Sequence, residues 1–109
     1  MSYTKVDSSD VEPVAEGMRF LGGPLDCEKL GVTLVDADPG WTSKEHDHAE
    51  DAQEEVYVLL DGSATVTVEG EDVDLSAGEA LRIPPGTTRQ IRNDDVESRF
   101  VLVGASGEE

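Results

Sequence analysis

The stretch VYVLLDGSATVTV, residues 56–68, decides the fold class of this 109-residue chain. Its first part, Val56–Leu60, consists of β-branched, aromatic and leucine residues, which is typical of a strand. Asp61-Gly62 follows as a two-residue hairpin signal. Thr65–Val68 then alternates polar and apolar side chains with the period of two expected for a half-exposed strand. The stretch predicts two antiparallel strands joined by a tight turn.

The same pattern continues on both sides of this stretch. Val32–Val35 is an extended apolar run that ends at the turn Asp38-Pro39-Gly40. Beyond residue 28, no segment shows a sustained apolar period of 3.6 residues, so no helix is expected there. About eight short strands with regular turn signals predict an antiparallel sandwich or small barrel. Further runs lie at residues 73–75, 81–83, 87–92 and 100–103.

The length of 109 residues fits one domain with one core. Residues 1–28 are weakly patterned and contain several glycines and prolines, which predicts an N-terminal arm. Residues 29–104 carry the regular pattern and are expected to form the β-barrel. Residues 105–109 are small and acidic, and we expect a frayed tail.

The charge balance limits the possible partners. The chain has 25 Asp plus Glu against eight Lys plus Arg, a net charge of −17. Double-stranded nucleic acid and anionic membranes both need a basic patch, so neither is expected as a partner. No apolar run of about 18 residues is present, so no membrane span is expected and a cytoplasmic location is the default. The acidic excess suggests a salt-adapted surface, and we hypothesise a halophilic source.

The only two histidines of the chain, His46 and His48, are two residues apart. In an extended strand such residues point to the same face. With a carboxylate from the next strand they would form a 2-His-1-carboxylate metal site with open positions. The alternative is two solvated loop residues in an acidic stretch.

The carboxylate is expected to be Glu55. On a regular strand Glu55 shares its face with Tyr57 and Leu59, whereas Glu54 faces the other way. A shift of register would instead bring Glu54 to this face, and Gln53 is a further candidate on the Glu55 face.

Glycine and ligand spacings in this region resemble the first motif of the cupin superfamily. The matching residues are Gly40, His46, His48, Glu55 and Gly62. The gap between His48 and Glu55 holds six residues where the family usually has three or four. The resemblance implies an all-β fold, an antiparallel double-stranded jelly-roll β-barrel of the small, single-domain cupin type.

A second stretch, residues 78–93, looks like the second cupin motif. It keeps Gly78, Pro84, Gly86 and Asn93, but Arg89 stands where the resemblance implies a third histidine ligand. Asn93 is expected to cap a turn. The two motifs together span residues 40–93, and they indicate the fold more strongly than a function because this fold has many activities.

The direction and charge of Arg89 leave two interpretations open. Arg89 shares a strand face with Ile91, so it is expected to point into the barrel. A fixed positive charge about 5 Å from a divalent cation repels it by several kcal/mol at an effective dielectric near 20. Arg89 therefore either forms an ion pair with Glu55 in a metal-free pocket or binds an anionic ligand group through its planar fork.

The resemblance implies two candidate functions. In the first, a divalent metal (Zn, Mn, Fe or Ni) binds His46, His48 and Glu55, and the barrel also holds a small anionic ligand. If this protein is an enzyme, dioxygenase and isomerase or epimerase reactions are the classes implied. The ligand-binding residues expected in this case are Arg89, Tyr57 and Gln53.

In the second candidate function, the chain is a metal-free small-molecule-binding or sensor module with an internal Glu55–Arg89 ion pair. The resemblance further implies a homodimer, in which the N-terminal segment adds a strand to a partner subunit.

Overall fold

The computed structural model describes residues 3–14, 17–43 and 53–106. Within these ranges a 3-10 helix, Ser8–Asp10, precedes eight β-strands. None of the helices in the described ranges is long and apolar enough to cross a membrane. The strands are β1 (Met18–Phe20), β2 (Leu30–Ala37), β3 (Gln53–Asp61), β4 (Ser63–Val68), β5 (Glu71–Ser76), β6 (Ala80–Ile83), β7 (Arg89–Asn93) and β8 (Ser98–Ser106).

The strands form two sheets with antiparallel pairing throughout. One sheet has five strands in the order β1-β2-β8-β3-β6, and the other has three in the order β5-β4-β7. The predicted all-β, antiparallel jelly-roll fold is confirmed. The predicted N-terminal arm, residues 1–28, contains β1, which pairs with β2 of the same chain through Met18 opposite Val35.

The core lies between the inner faces of the two sheets. The five-stranded sheet contributes Val35, Leu59 and Phe100, each fully buried, and the three-stranded sheet contributes Val66 and Ile91. The residues next to them in each strand are mostly more exposed, as the period of two predicts. Alternation in the sequence therefore indicated the inward faces of β3 and β7, whereas β1 was not predicted as a strand.

The hairpin predicted at Asp61-Gly62 is wrong. β3 and β4 belong to different sheets, so this pair of residues turns the chain from one sheet to the other. Gly62 has φ +88°, and a Cβ there would lie 2.3 Å from Ser98 Oγ. The signal thus marked a corner that needs positive φ and close backbone approach, but it did not specify which strand pairs with which.

Candidate functional site

A cavity of about 550 Å³ opens over one end of the inner face of the five-stranded sheet. Strand register explains its walls, because Phe20 lies opposite Thr33, Thr33 opposite Leu102 and Leu102 opposite Tyr57. These four side chains form one row across four strands, and all of them line the cavity. Met18 adds further apolar lining from β1, and Leu30 and Val32 of β2 also border the cavity.

Two glycines form the floor of the cavity. Gly31 lies opposite Gly104, and Gly104 lies opposite Glu55, so this row across β2, β8 and β3 has only one side chain. A Cβ at Gly104 would lie 3.1 Å from Gln53 Oε1 and 3.2 Å from Glu55 Cγ. The missing side chains create the hollow and leave room for Gln53 and Glu55 beside it.

The loop between β1 and β2 closes one side of the cavity. The Leu21 amide donates to Val32 O at 2.8 Å, and the Cys27 amide donates to Gly22 O at 2.9 Å. These bonds fold the loop back on itself, so that Gly22, Gly23 and the exposed Cys27 also line the cavity.

An ion pair between the two sheets lies at the base of this site. Arg89 on β7 donates through Nη2 to Glu55 Oε1 on β3, and its Nη1 donates to Thr87 O. The Tyr57 hydroxyl donates to the same Glu55 oxygen at 3.4 Å. The Arg89 side chain is 0% exposed and that of Glu55 is 12% exposed, so only the carboxylate reaches the cavity. Among the described residues, Arg89 Nε is a buried polar atom without a hydrogen-bond partner.

Burial and the ion pair set the protonation of this group of residues. Desolvation, followed by the negative charge of Glu55, raises the pKa of Tyr57 to about 12, so its hydroxyl stays neutral at physiological pH. Burial alone would lower the pKa of Arg89, but its hydrogen bonds to Glu55 and Tyr57 outweigh burial and raise it. Arg89 therefore stays a cation, and its ion pair with Glu55 is mutually neutralising.

The structure shows where several of the predicted site residues lie. Gln53, Glu55 and Tyr57 line the cavity, and the predicted inward direction of Arg89 is confirmed by its 1% exposure. Glu54 lies on the opposite face of β3, where it forms an exposed ion pair with Arg82. Of the two carboxylates considered, Glu55 is the one inside the barrel.

The predicted ligands His46 and His48 lie outside the described residues. The segment that precedes them, residues 41–43, runs along β7. The Ser43 amide donates to Ile91 O at 2.9 Å, and the Asn93 amide donates to Trp41 O at 2.7 Å. The metal-ligand set of His46, His48 and Glu55 therefore stays a prediction.

The glycine floor and the N-terminal wall of the cavity were not predicted from the sequence. Gly31 and Gly104 are far apart in sequence, and their pairing follows only from the register of β2 and β8. A signal was nevertheless present, since isolated glycines inside strand patterns often mark sites where another group approaches closely. Assigning residues 1–28 to an arm also concealed Met18 and Phe20 as lining residues.

Residues 33–104 match the sequence profile of the family described as "Cupin domain". The chain belongs to the cupin family. This cupin is 28% identical over 103 residues to an uncharacterized protein of Streptomyces coelicolor, with 94% of each chain covered.

Solved structures agree with this fold. A cupin protein from Bacteroides fragilis matches with a TM-score of 0.84 at 24% identity, covering 100% of this cupin and 88% of that chain. Oxalate decarboxylase of Bacillus subtilis, an enzyme with Mn(II) centers, matches with a TM-score of 0.82 at 25% identity. That match covers 98% of this cupin and only 30% of the enzyme chain.

The possible metal ligands among the described residues are not sufficient to bind a divalent metal ion. Residues 3–14, 17–43 and 53–106 contain no group of three His, Cys, Asp or Glu side chains that could hold one. Glu55 already neutralises Arg89, a buried cation that stands where the resemblance to the second cupin motif implies a histidine. A metal would thus depend on His46 and His48 and would have to overcome the repulsion by Arg89.

Proposed function

We propose that this cupin binds a small organic molecule in the cavity above Glu55 and that this binding needs no metal ion. The observation that carries the proposal is the buried Arg89–Glu55 pair beside a cavity of about 550 Å³. This combination supports the metal-free alternative of the two functions considered from the sequence.

Charge is the first argument for a metal-free site. A divalent ion about 5 Å from a guanidinium is repelled by several kcal/mol at an effective dielectric near 20. A carboxylate ligand normally offsets part of the metal's charge, but Glu55 already balances Arg89. The net charge of the site would therefore rise by almost the full charge of the metal ion, which is costly in a buried setting.

The shape and lining of the cavity are the second argument. Its volume falls within the range of about 300–1,000 Å³ that is usual for small-molecule pockets. Its walls are mostly apolar, with polar groups from Gln53, Glu55 and Thr33. Apolar walls with a few polar groups are typical of sites that bind organic ligands.

The second candidate is a metal site formed by His46, His48 and Glu55, with Arg89 binding an anionic ligand. The His-x-His pattern and the similarity to oxalate decarboxylase with its Mn(II) centers favour it. A Zn, Mn, Fe or Ni ion bound there would act as a Lewis acid. This candidate requires Arg89 to give up part of its pairing with Glu55 in favour of the anion.

Three features predicted from the sequence remain proposals: the homodimer, the cytoplasmic location and the halophilic source. β1 lies at the edge of its sheet among the described strands, where a strand from a second copy could add, although Met18 O on this edge already accepts from the Val14 amide at 2.9 Å. This arrangement supports the homodimer.

A fragment screen by NMR tests the proposed function. Protein treated with EDTA would be titrated with neutral and charged aromatic fragments, and amide shifts would be followed at Phe20, Thr33 and Leu102. We expect hits that shift these residues with and without chelator and that are lost in Gly31→Val, whose side chain fills the cavity. Fragments that bind only with added metal, or that bind Gly31→Val as well as the unmodified protein, would contradict the proposal.

A further inference from the structure

We infer that the ligand of the cavity is a neutral or cationic molecule with an apolar body and a hydrogen-bond-donating head group, and is not an anion. The inference rests on the proposed function, because it specifies which chemistry the same cavity selects. It differs from the sequence-based expectation that Arg89 anchors an anionic group.

The sign of the charge at the cavity surface is the main argument. Glu55 is the only charged side chain among the described residues that line the cavity. Its Arg89 partner is 0% exposed, and both its Nη2 and its Nη1 donate within the protein. A ligand in the cavity therefore contacts the carboxylate side of this neutral pair, with the guanidinium enclosed behind it, so an anionic head group would be repelled at short range.

The charge of the whole chain acts in the same direction. A net charge of −17 repels anions during approach. Molar salt shortens the screening length to about 3 Å and removes most of this long-range effect. Discrimination that persists in molar salt must therefore come from groups in direct contact with the ligand, such as Glu55.

The walls of the cavity select the body of the ligand. Met18, Phe20 and Leu102 line it with sulfur, aromatic and branched aliphatic groups. Such groups pack well against an aromatic or branched apolar body. The polar end of the cavity, with Gln53 and Glu55, then faces the head group.

Three compounds that share an eight-carbon phenyl skeleton test this inference: 2-phenylethylamine, 2-phenylethanol and phenylacetate. Their dissociation constants would be measured by NMR titration in about 1 M KCl, where surface charge is screened. We expect the amine and the alcohol to shift the amides of Thr33 and Leu102. Phenylacetate should bind at least about tenfold more weakly than the amine.

Two variants measure separately how the protein recognises the head group of the ligand and its apolar body. Glu55→Gln removes the charge with little change of shape, so the amine should lose its advantage over phenylacetate. Phe20→Ala removes apolar contact from a half-exposed position, so all three compounds should weaken by a similar factor. An unchanged preference in folded Glu55→Gln would overturn the role of the carboxylate.

A measurement on the unmodified protein covers the case in which Glu55→Gln does not fold. Cys27 is the only cysteine, is exposed, and lines the cavity, so its reaction with neutral iodoacetamide reports occupancy. The amine should slow alkylation, and phenylacetate at the same concentration should not. Protection by phenylacetate equal to or stronger than that by the amine would overturn the inference but leave the cavity as a binding site. If none of the three compounds binds or protects, both the inference and the proposed function fail.

Discussion

Arg89 and Glu55 connect the two sheets of the barrel beside its cavity. Arg89 belongs to the three-stranded sheet and Glu55 to the five-stranded sheet, and the guanidinium Nη2 donates to Glu55 Oε1. The arginine is fully buried, whereas the carboxylate keeps 12% of its surface exposed. The cation is thus enclosed by the protein, and the anion faces the space where a ligand would bind.

The first prediction concerns the energy of this pair. Glu55→Leu should lower the free energy of unfolding by about 3–5 kcal/mol, because it leaves the buried Arg89 charge uncompensated. The double variant Glu55→Leu/Arg89→Met should recover most of that loss, since it removes both charges. Urea unfolding of Glu55→Leu, Arg89→Met and the double variant in molar KCl gives the coupling free energy between the two side chains.

A matched control lies on the same strand but on its outer face. Glu54 pairs with Arg82, and their side chains are 48% and 60% exposed. Arg82→Ala should therefore cost less than about 1 kcal/mol. Additive effects of the Glu55 and Arg89 substitutions would show that the buried pair is not coupled.

The second prediction concerns stability at alkaline pH. Tyr57 has a folded-state pKa of about 12, against about 10 in an unfolded chain. Between these values the folded protein keeps a proton that the unfolded chain has released, so stability falls as pH rises from about 10 to 12. The loss should amount to roughly 2–3 kcal/mol and should be absent in Tyr57→Phe.

Absorbance of tyrosinate at about 295 nm measures this pKa directly. The chain has two tyrosines, so Tyr3→Phe leaves Tyr57 as the only one. Its midpoint should lie near 12 in the folded protein, with circular dichroism confirming that the fold persists. A midpoint near 10 in folded protein would show that Tyr57 is neither desolvated nor influenced by Glu55.

The third prediction concerns the glycine floor. The backbone of Gly31 does not need positive φ, and a Cβ there would meet only Gly104 O at 3.9 Å, an ordinary contact. Gly31→Val should therefore stabilise the protein by about 0.5–1 kcal/mol, because valine favours a strand and glycine disfavours it. The same side chain should abolish ligand binding in the cavity.

Unfolding and binding measurements on the same variant test both effects. Val103→Ile, which adds a methylene on the outer face of β8, should leave ligand binding unchanged. A destabilised Gly31→Val protein, or one that still binds fragments, would show that the floor of the cavity is not formed by this glycine.

The fourth prediction concerns salt. With a net charge of −17, repulsion between carboxylates destabilises the fold at low ionic strength. The melting temperature should rise by about 5 °C or more between 0.05 M and 2 M KCl, which corresponds to about 1 kcal/mol for a domain of this size. Sodium sulfate at equal ionic strength separates screening from ion-specific effects, and a flat melting temperature would refute a salt-adapted surface.

The features predicted well from the sequence are those set by local alternation. Arg89 and Ile91 are both buried on β7, as their shared face required, and Glu55 points inward together with Tyr57. Asn93 also has the expected role at a turn, because its side-chain amide donates to Asp38 O and Val96 O at 2.7 Å each. The outcomes for Arg89, Ile91 and Glu55 depend on the period of two along a single strand, and the outcome for Asn93 depends on local turn chemistry.

Features that depend on long-range pairing were not predictable in the same way. Asp61-Gly62 looked like a hairpin because local chemistry fixes positive φ but does not specify the partner strand. The cavity was missed because it needs Gly31 and Gly104 to become neighbours across β2 and β8. Whether Arg89 would pair with Glu55 or bind a ligand also depended on the distance between two sheets, which no single-strand pattern contains.

The metal content of this cupin tests the central claim most directly. Protein would be purified in high salt without chelator or affinity metal, soaked with Fe(II), Mn(II), Zn(II) or Ni(II), desalted and examined by elemental analysis beside His46→Ala. Because Arg89 balances Glu55 and opposes a divalent ion, we predict metal far below one per chain and no difference between the two proteins. Near-stoichiometric metal that disappears in His46→Ala would contradict the account and establish a site of His46, His48 and Glu55.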